Sequence, residues 1–260
     1  DLPVWWYKVW CTVTTVPLYK TAAQETVRPI GIKPCLARVI HKVVTRQSRQ
    51  VFIEYFEPQQ LAMSPSGPHQ LVNGIRMLGE ANPGFVILKS DIKNAFPSVS
   101  RARILNVMKS EQQLQHLVWH AAQILAPSSA LEHVWGEAGE GTTQGDPPAG
   151  ALFSVAWHPQ LRELDAKMVA VGGAARAGMD DLYVCGPPEV VYPAMEVFWA
   201  EVLDVCQLRL ERSKTEIFSW GELPAGTPLG LTRAGTLLDG VFQPGFILYG
   251  IPVGTPAYVK

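Results

Sequence analysis

Apolar residues recur at helical spacing over residues 36–51, through Leu36, Val39, Ile40, Val43, Val44 and Val51. Arg38, Lys42, Arg46 and Arg49 fall off that stripe, which predicts an amphipathic helix with a cationic outer face. His69 to Glu80 repeats the pattern through Leu71, Val72, Ile75 and Leu78, and Asn82-Pro83-Gly84 ends it. The run FVILKSDI (85–92) is short and largely apolar, so it predicts a buried strand with Asp91 near its C-terminal end. Residues 101–125 look helical again. In TTQGDPPAGALFSVAW, Asp146 can cap a helix, and Pro147 suits the first helical position because its missing N–H would be unpaired there anyway.

Two strand-like stretches follow, Met168–Val171 and Leu182–Cys185, around a turn that holds Asp180 and Asp181. Residues 189–209 predict a long amphipathic helix through Val190, Met195, Phe198, Val202 and Val205. GVFQPGFILYGIPVG (240–254) reads as strand, Pro-Gly turn, strand. Strands and helices alternate irregularly, which favours an α+β fold with helices packed on one face of a sheet.

At 47% hydrophobic and 17% charged over 260 residues, the chain has ample material for a core, and a disordered reading fails. It begins with Asp, and no charged segment precedes an apolar one, so a fragment or processed product is expected rather than a secretory precursor. The Trp-rich start is broken by Pro3 and Lys8 and is too short to span a bilayer. Cys11, Cys35, Cys185 and Cys206 are scattered with no CxxC, so free thiols in a reducing compartment are expected, cytoplasm or nucleus. His116 and His120 lie four apart on a helix, but no third ligand stands at suitable spacing for a metal. Trp5, Trp6 and Trp10 could stack bases, though simple burial explains them as well.

Net charge is -1, but its distribution is uneven. Residues 1–56 carry eight basic and three acidic side chains, and the remainder carries 14 basic and 20 acidic. That suits phosphate binding at one end and cation binding at the other, or merely an uneven surface.

Three acidic residues sit in β contexts: Asp91 at a strand end, and Asp180 and Asp181 at a hairpin tip. If the two strands are neighbours, like charges meet within a few Å and disfavour joint ionisation. Divalent cations resolve that conflict, and hard oxygen ligands suit Mg²⁺. An Asp-Asp pair alone is equally a solvated turn.

The neighbours of these residues add weight. DIKNAF (91–96), TTQGDPPAGALF (142–153), GMDD (178–181), LRLERSKTEIF (208–218) and GIPVG (250–254) follow one another in an order and spacing that resembles the reverse transcriptase family. Upstream, LYK (18–20) and RPIGI (28–32) resemble that family's fingers motifs. The resemblance covers about residues 18–254 and is nearest to the non-LTR retrotransposon, group II intron and retron branches.

The resemblance implies a right-hand polymerase of fingers and palm, with an antiparallel palm sheet. Residues 1–84 would be fingers-like and 85–260 palm-like, with a helical insertion at about 101–140, together one reverse transcriptase domain. Asp91, Asp180 and Asp181 would carry catalysis and bind two Mg²⁺ ions, with Mn²⁺ as an alternative. Phe96 would lie under the incoming sugar and select deoxynucleotides, or else be plain core packing. Gln144 and Gly145 would line the nucleotide pocket. Lys20 and Arg28 would grip the triphosphate, where guanidinium geometry favours bidentate contact. Lys214 would serve pyrophosphate. Gln144, Arg28 and Lys214 otherwise read as ordinary solvated residues. The partners implied are an RNA or DNA template with primer and dNTPs, with no membrane and no stated oligomeric state.

The chain departs from the family pattern at Gly178, where the family usually has Tyr or Phe. Gly loosens a strand and removes a packed ring. Six residues follow GIPVG, so no thumb is expected. The function expected is RNA-directed DNA polymerase of a mobile element. The rivals are an RNA-directed RNA polymerase, and a decayed fragment that binds nucleic acid as a scaffold.

Overall fold

The computed structural model describes residues 12–19, 27–125, 129–132, 136–224, 226–228 and 230–260. The chain folds into two compact units that interleave along the sequence. One comprises residues 1–55, 94–156 and 205–207; the other comprises 56–93, 157–204 and 208–260.

The second unit is built on a five-stranded sheet. Its order is Thr232–Arg233, Glu216–Ser219, Val86–Ser90, Asp181–Gly186, Ala174–Gly178. Every pairing is antiparallel except that between Glu216–Ser219 and Thr232–Arg233. Val86, Ile87 and Leu88 are all buried, as are Leu182 through Cys185, because these strands lack the polar alternate positions of a half-solvated sheet. Both faces are therefore covered, which corrects the expectation of helices on one face. On one face Ile87, Tyr183 and Cys185 pack with Leu71, Val72 and Ile75 of the helix Gly67–Ala81. On the other, a Cβ built on Gly186 would stand 3.2 Å from Val191 and 3.4 Å from Met168, and Leu88 faces a cavity lined by Met195 and Trp199.

The edge strand Ala174–Gly178 is shielded by the segment 59–61. Ala177 N–H donates to the Gln59 carbonyl at 2.7 Å, and Leu61 N–H donates to the Ala177 carbonyl at 2.8 Å. Covering an edge in this way satisfies its free backbone groups. Buried Asp165 fixes the same strand, accepting from Ala175 N–H at 3.0 Å, from the Gln59 amide at 2.8 Å and from the Arg176 guanidinium. Met168 and Val169 end the helix Ala149–Val169, so the strand expected at 168–171 begins only at Ala174. Periodicity could not separate the apolar end of a buried helix from a strand.

A three-stranded antiparallel sheet completes this unit: Gly235–Leu238, Val241–Leu248 and Ile251–Gly254. Phe246, Leu248 and Val253 enter the same core. The turn expected at Pro244-Gly245 lies instead at Tyr249-Gly250, with φ of +49° and +78°. Positive φ at both central residues matches the right-handed twist of the flanking strands. Pro244 stays inside the long strand.

The first unit holds a four-stranded sheet in the order Val27–Ile32, Val13–Tyr19, Ser129–Glu132, Gly136–Ala138. The expected helical insertion at about 101–140 is thus helical only as far as Ile124. Ser100 caps the helix Arg101–Ser110, its hydroxyl accepting from Arg103 N–H at 3.3 Å. Phe52, Ile104, Met108, Leu114, Leu152 and Phe153 are buried in this unit.

The helix Cys35–Gln47 forms with Arg38, Lys42 and Arg46 on its outside as expected, but the apolar stripe is not its inward face. Its inward residues are Ala37 and His41, while Leu36, Val39, Ile40 and Val43 are exposed beside Arg38 and Lys42. The reason is a buried polar cluster. Asp146 accepts from His41 Nδ1 at 2.8 Å and lies 3.0 Å from Lys33 Nζ. A buried carboxylate needs such partners more than Val or Leu needs burial. Asp146 therefore spends its side chain on this cluster rather than capping a helix, and the helix after it begins at Ala149.

Candidate active site

Register brings the expected carboxylates of the second unit to one end of its sheet. Ser90 pairs with Leu182, and Gly178 pairs with Asp181 across the two-residue turn Met179-Asp180. The next position along each strand sets Asp91 beside Asp181. Asp91 is held there by its own backbone, whose carbonyl accepts from Glu211 N–H at 2.9 Å, and by the short pairing of Ile92–Lys93 with Arg209–Leu210. The Asp91 carboxylate accepts from Lys214 Nζ at 3.3 Å.

The electrostatics are frustrated. The Asp181 carboxyl is pushed up to about 6, first by burial, then by the neighbouring charge of Asp180; Asp91 adds to the push and Lys89 opposes it. Lys89 is itself engaged with Glu216 at 2.9 Å. Burial followed by the charges of Asp181 and Asp180 also raises Tyr249, so its hydroxyl stays a proton donor.

Two residues that the sequence did not single out fix this turn. Gln60 is buried, with its amide oxygen accepting from Met179 N–H at 2.7 Å and its amide nitrogen donating to the Met179 carbonyl at 3.1 Å. Met179 has a φ of +60°, a conformation that a non-glycine residue keeps only when its surroundings hold it. The Tyr249 hydroxyl donates to the Gly178 carbonyl at 2.9 Å. The ring that Gly178 lacks is thereby replaced by one from another hairpin, and the loosening expected of a glycine here is offset. Nothing in local sequence could reveal either contact, because the partners lie 119 and 71 positions away.

The donors suit a hard divalent cation: three carboxylates at one sheet end, one of them destabilised as an anion. Among the described residues, however, no three His, Cys, Asp or Glu side chains already converge on one point. The Lys214 ammonium stands beside Asp91 instead.

The remaining expected residues belong to the first unit. Phe96 is half-buried and stacks on Phe153, with centroids 5.0 Å apart and planes 27° from parallel. Its carbonyl accepts from Thr142 N–H at 2.7 Å, tying it to the start of the Gln-Gly loop. The Gln144 carbonyl accepts from Gly31 N–H at 2.8 Å. Gly145 has a φ of +106°, and a Cβ there would stand 2.9 Å from the Gly31 carbonyl, so the loop approaches the strand Val27–Ile32 more closely than a side chain permits. Arg28 is exposed on that strand, opposite Leu18. Lys20 lies outside the described residues, as do Cys11 and the Trp-rich start. Of the other thiols, Cys35 is exposed, and Cys185 and Cys206 are buried; all three are free.

Residues 19–232 match the reverse transcriptase (RNA-dependent DNA polymerase) family. The chain belongs to that family. Among solved structures it is similar to telomerase from Candida albicans in complex with a TWJ fragment of telomeric RNA, at 9% identity and a TM-score of 0.59, covering 100% of this chain and 47% of that one. It is similar to apo telomerase from Candida tropicalis, at 9% identity and 0.62, covering 90% and 47%. The same enzyme truncated from its C-terminal domain matches at 10% identity and 0.61, covering 95% and 55%. At such identities the likeness is one of fold, and the chain spans about half the length of the structures it matches. No curated protein matches it. Among the described residues no helix is long and apolar enough to cross a membrane.

Proposed function

We propose that this chain carries the catalytic core of an RNA-directed DNA polymerase, joining the primer 3′-OH to the α-phosphate of a dNTP with release of pyrophosphate. The observation that supports this reading is that the strand ending at Ser90 pairs with the strand that begins at Asp181, with the Asp91 charge felt at Asp181. Asp91, Asp180 and Asp181 would hold two Mg²⁺ ions, or Mn²⁺, which supply charge neutralisation for the attacking and leaving oxygens.

The chain's own residues do the rest by positioning and electrostatics. Lys214, which donates to Asp91, would meet the departing pyrophosphate with a proton or a positive charge. Arg28 and Lys20 bind triphosphate oxygens. Gln144 and Gly145 form the wall of the nucleotide pocket, their backbone pinned to the strand Val27–Ile32. Phe96, backed by Phe153, presents a ring that a ribose 2′-OH would strike, so deoxynucleotides are favoured over ribonucleotides. In this reading residues 1–84 act as fingers, 85–260 act as palm, and the origin is a mobile element.

Primer extension on an RNA template tests the reading. The wild-type chain is expected to incorporate dNTPs with Mg²⁺, and Asp180→Asn to lose incorporation with its circular dichroism unchanged. Incorporation by Asp180→Asn at the wild-type rate would refute the site. A second reading, a scaffold that binds nucleic acid without catalysis, is favoured by the Lys214 ammonium beside Asp91. It requires template binding by a wild-type chain that extends nothing.

A further inference from the structure

We propose that Tyr249 is a positioning residue for the Met179-Asp180 turn that carries the Asp pair, and that it and Gly178 form one reciprocal device: the ring of residue 249 occupies the space that a side chain at 178 would take. The inference rests on the functional reading above for its catalytic consequence and on geometry alone for the device.

The geometry is specific. A Cβ built on Gly178 would stand 1.8 Å from the Tyr249 hydroxyl oxygen and 2.9 Å from its Cζ, so a side chain at 178 would require the Tyr249 ring to leave this place. The space is not merely filled. The hydroxyl donates to the Gly178 carbonyl at 2.9 Å, one residue before the turn begins. Tyr249 in turn sits at φ +49° in a two-residue turn whose strands are anchored by Leu248 and Val253, both fully buried. Its ring therefore reaches Gly178 from a fixed base.

Gln60 completes the arrangement from the opposite sequence direction. It takes both backbone groups of Met179, and Tyr249 takes the carbonyl of the residue before. The two residues that precede the Asp pair are thus each held by a side chain from elsewhere in the unit. Carboxylates that must meet cations have to be held to within a fraction of an ångström, and a two-residue turn transmits any slack in its stems directly to them. Tyr249 touches no substrate in this scheme; it acts through the turn.

The test combines Tyr249→Phe, Tyr249→Ala, Gly178→Tyr and the double variant Gly178→Tyr/Tyr249→Ala. Hydrogen exchange at the amides of residues 179–182 reads the device without reference to catalysis. Tyr249→Ala is expected to speed that exchange about fivefold or more, the loss of one hydrogen bond and its ring, while amides of the helix Gly67–Ala81 stay unchanged. Tyr249→Phe keeps the ring and is expected to fall between. Gly178→Tyr alone is expected to lose protection, and the double variant to recover at least part of it. In primer extension kcat is expected to fall in Tyr249→Ala with the KM for template-primer unchanged. Exchange at 179–182 unaltered by Tyr249→Ala, or a double variant no better than the sum of its parts, overturns the inference. A wild-type chain that extends nothing refutes the functional reading instead, and the exchange data still decide the role of Tyr249.

Discussion

The Lys214 ammonium lies 3.3 Å from the Asp91 carboxylate, and the two sit 123 positions apart in the chain. The pair is open to water, with side chains 59% and 33% exposed, so it contributes at most about 1 kcal/mol to stability. Such a contact is easily exchanged for a stronger partner. Lys214→Ala is therefore expected to leave the thermal midpoint nearly unchanged while slowing single-turnover extension by roughly 10²-fold, the scale of a lost proton donor. A large drop in midpoint with extension intact would assign Lys214 to the fold instead.

Phe96 is half-buried against Phe153, which leaves part of the residue open to solvent. Phe96→Ala is expected to raise rNTP use relative to dNTP use by about tenfold or more, the worth of one removed clash. Competition between labelled rNTP and dNTP on one template measures it. An unchanged ratio would return Phe96 to simple packing.

Gly145 cannot carry a side chain where it stands. Gly145→Ala places a methyl group 2.9 Å from the Gly31 carbonyl at a φ of +106°. The strain is expected to cost about 1–3 kcal/mol, read by denaturant unfolding, and to raise the KM for dNTP as the loop moves.

The Asp146 cluster predicts a pH dependence. Burial alone would raise this carboxyl, but the His41 hydrogen bond and the Lys33 charge outweigh it and hold it below the ordinary 3.8. A depressed folded value means stability that is fully present above the unfolded value and lost as pH falls through the folded one. Asp146→Asn is expected to be destabilised at pH 7 by about 3–5 kcal/mol, since Lys33 and His41 lose their buried counter-charge. The gap from wild type is expected to narrow as pH falls below 3.8, where the unfolded carboxyl gains its proton, and to be smallest below the lower folded value. Urea titrations of both proteins across that range check it.

The strands and helices that carry this site were legible where the pattern was one-sided. FVILKSDI announced a buried strand, and the Asp pair announced its turn, because continuous apolar runs and adjacent acids leave few other placements. Sequence failed where burial was decided by distant partners. The helix Cys35–Gln47 turns His41 inward and Val39 outward because Asp146, more than a hundred positions away, needs a donor. Met168 and Val169 close a helix, since their β propensity is weaker than the tertiary packing of the helix they end. Gln60 and Tyr249 bear no motif at all, and their contacts with the turn exist only in the folded chain.

If Asp91, Asp180 and Asp181 serve one shared cation site, Mn²⁺ binding read by electron paramagnetic resonance in the presence of template-primer and dNTP reveals it. Wild-type protein is expected to hold two ions, and Asp91→Asn, Asp180→Asn and Asp181→Asn each to weaken the same binding. Ions retained at full affinity in Asp91→Asn, while a variant at the turn loses them, would show that the strand end and the turn do not share a site.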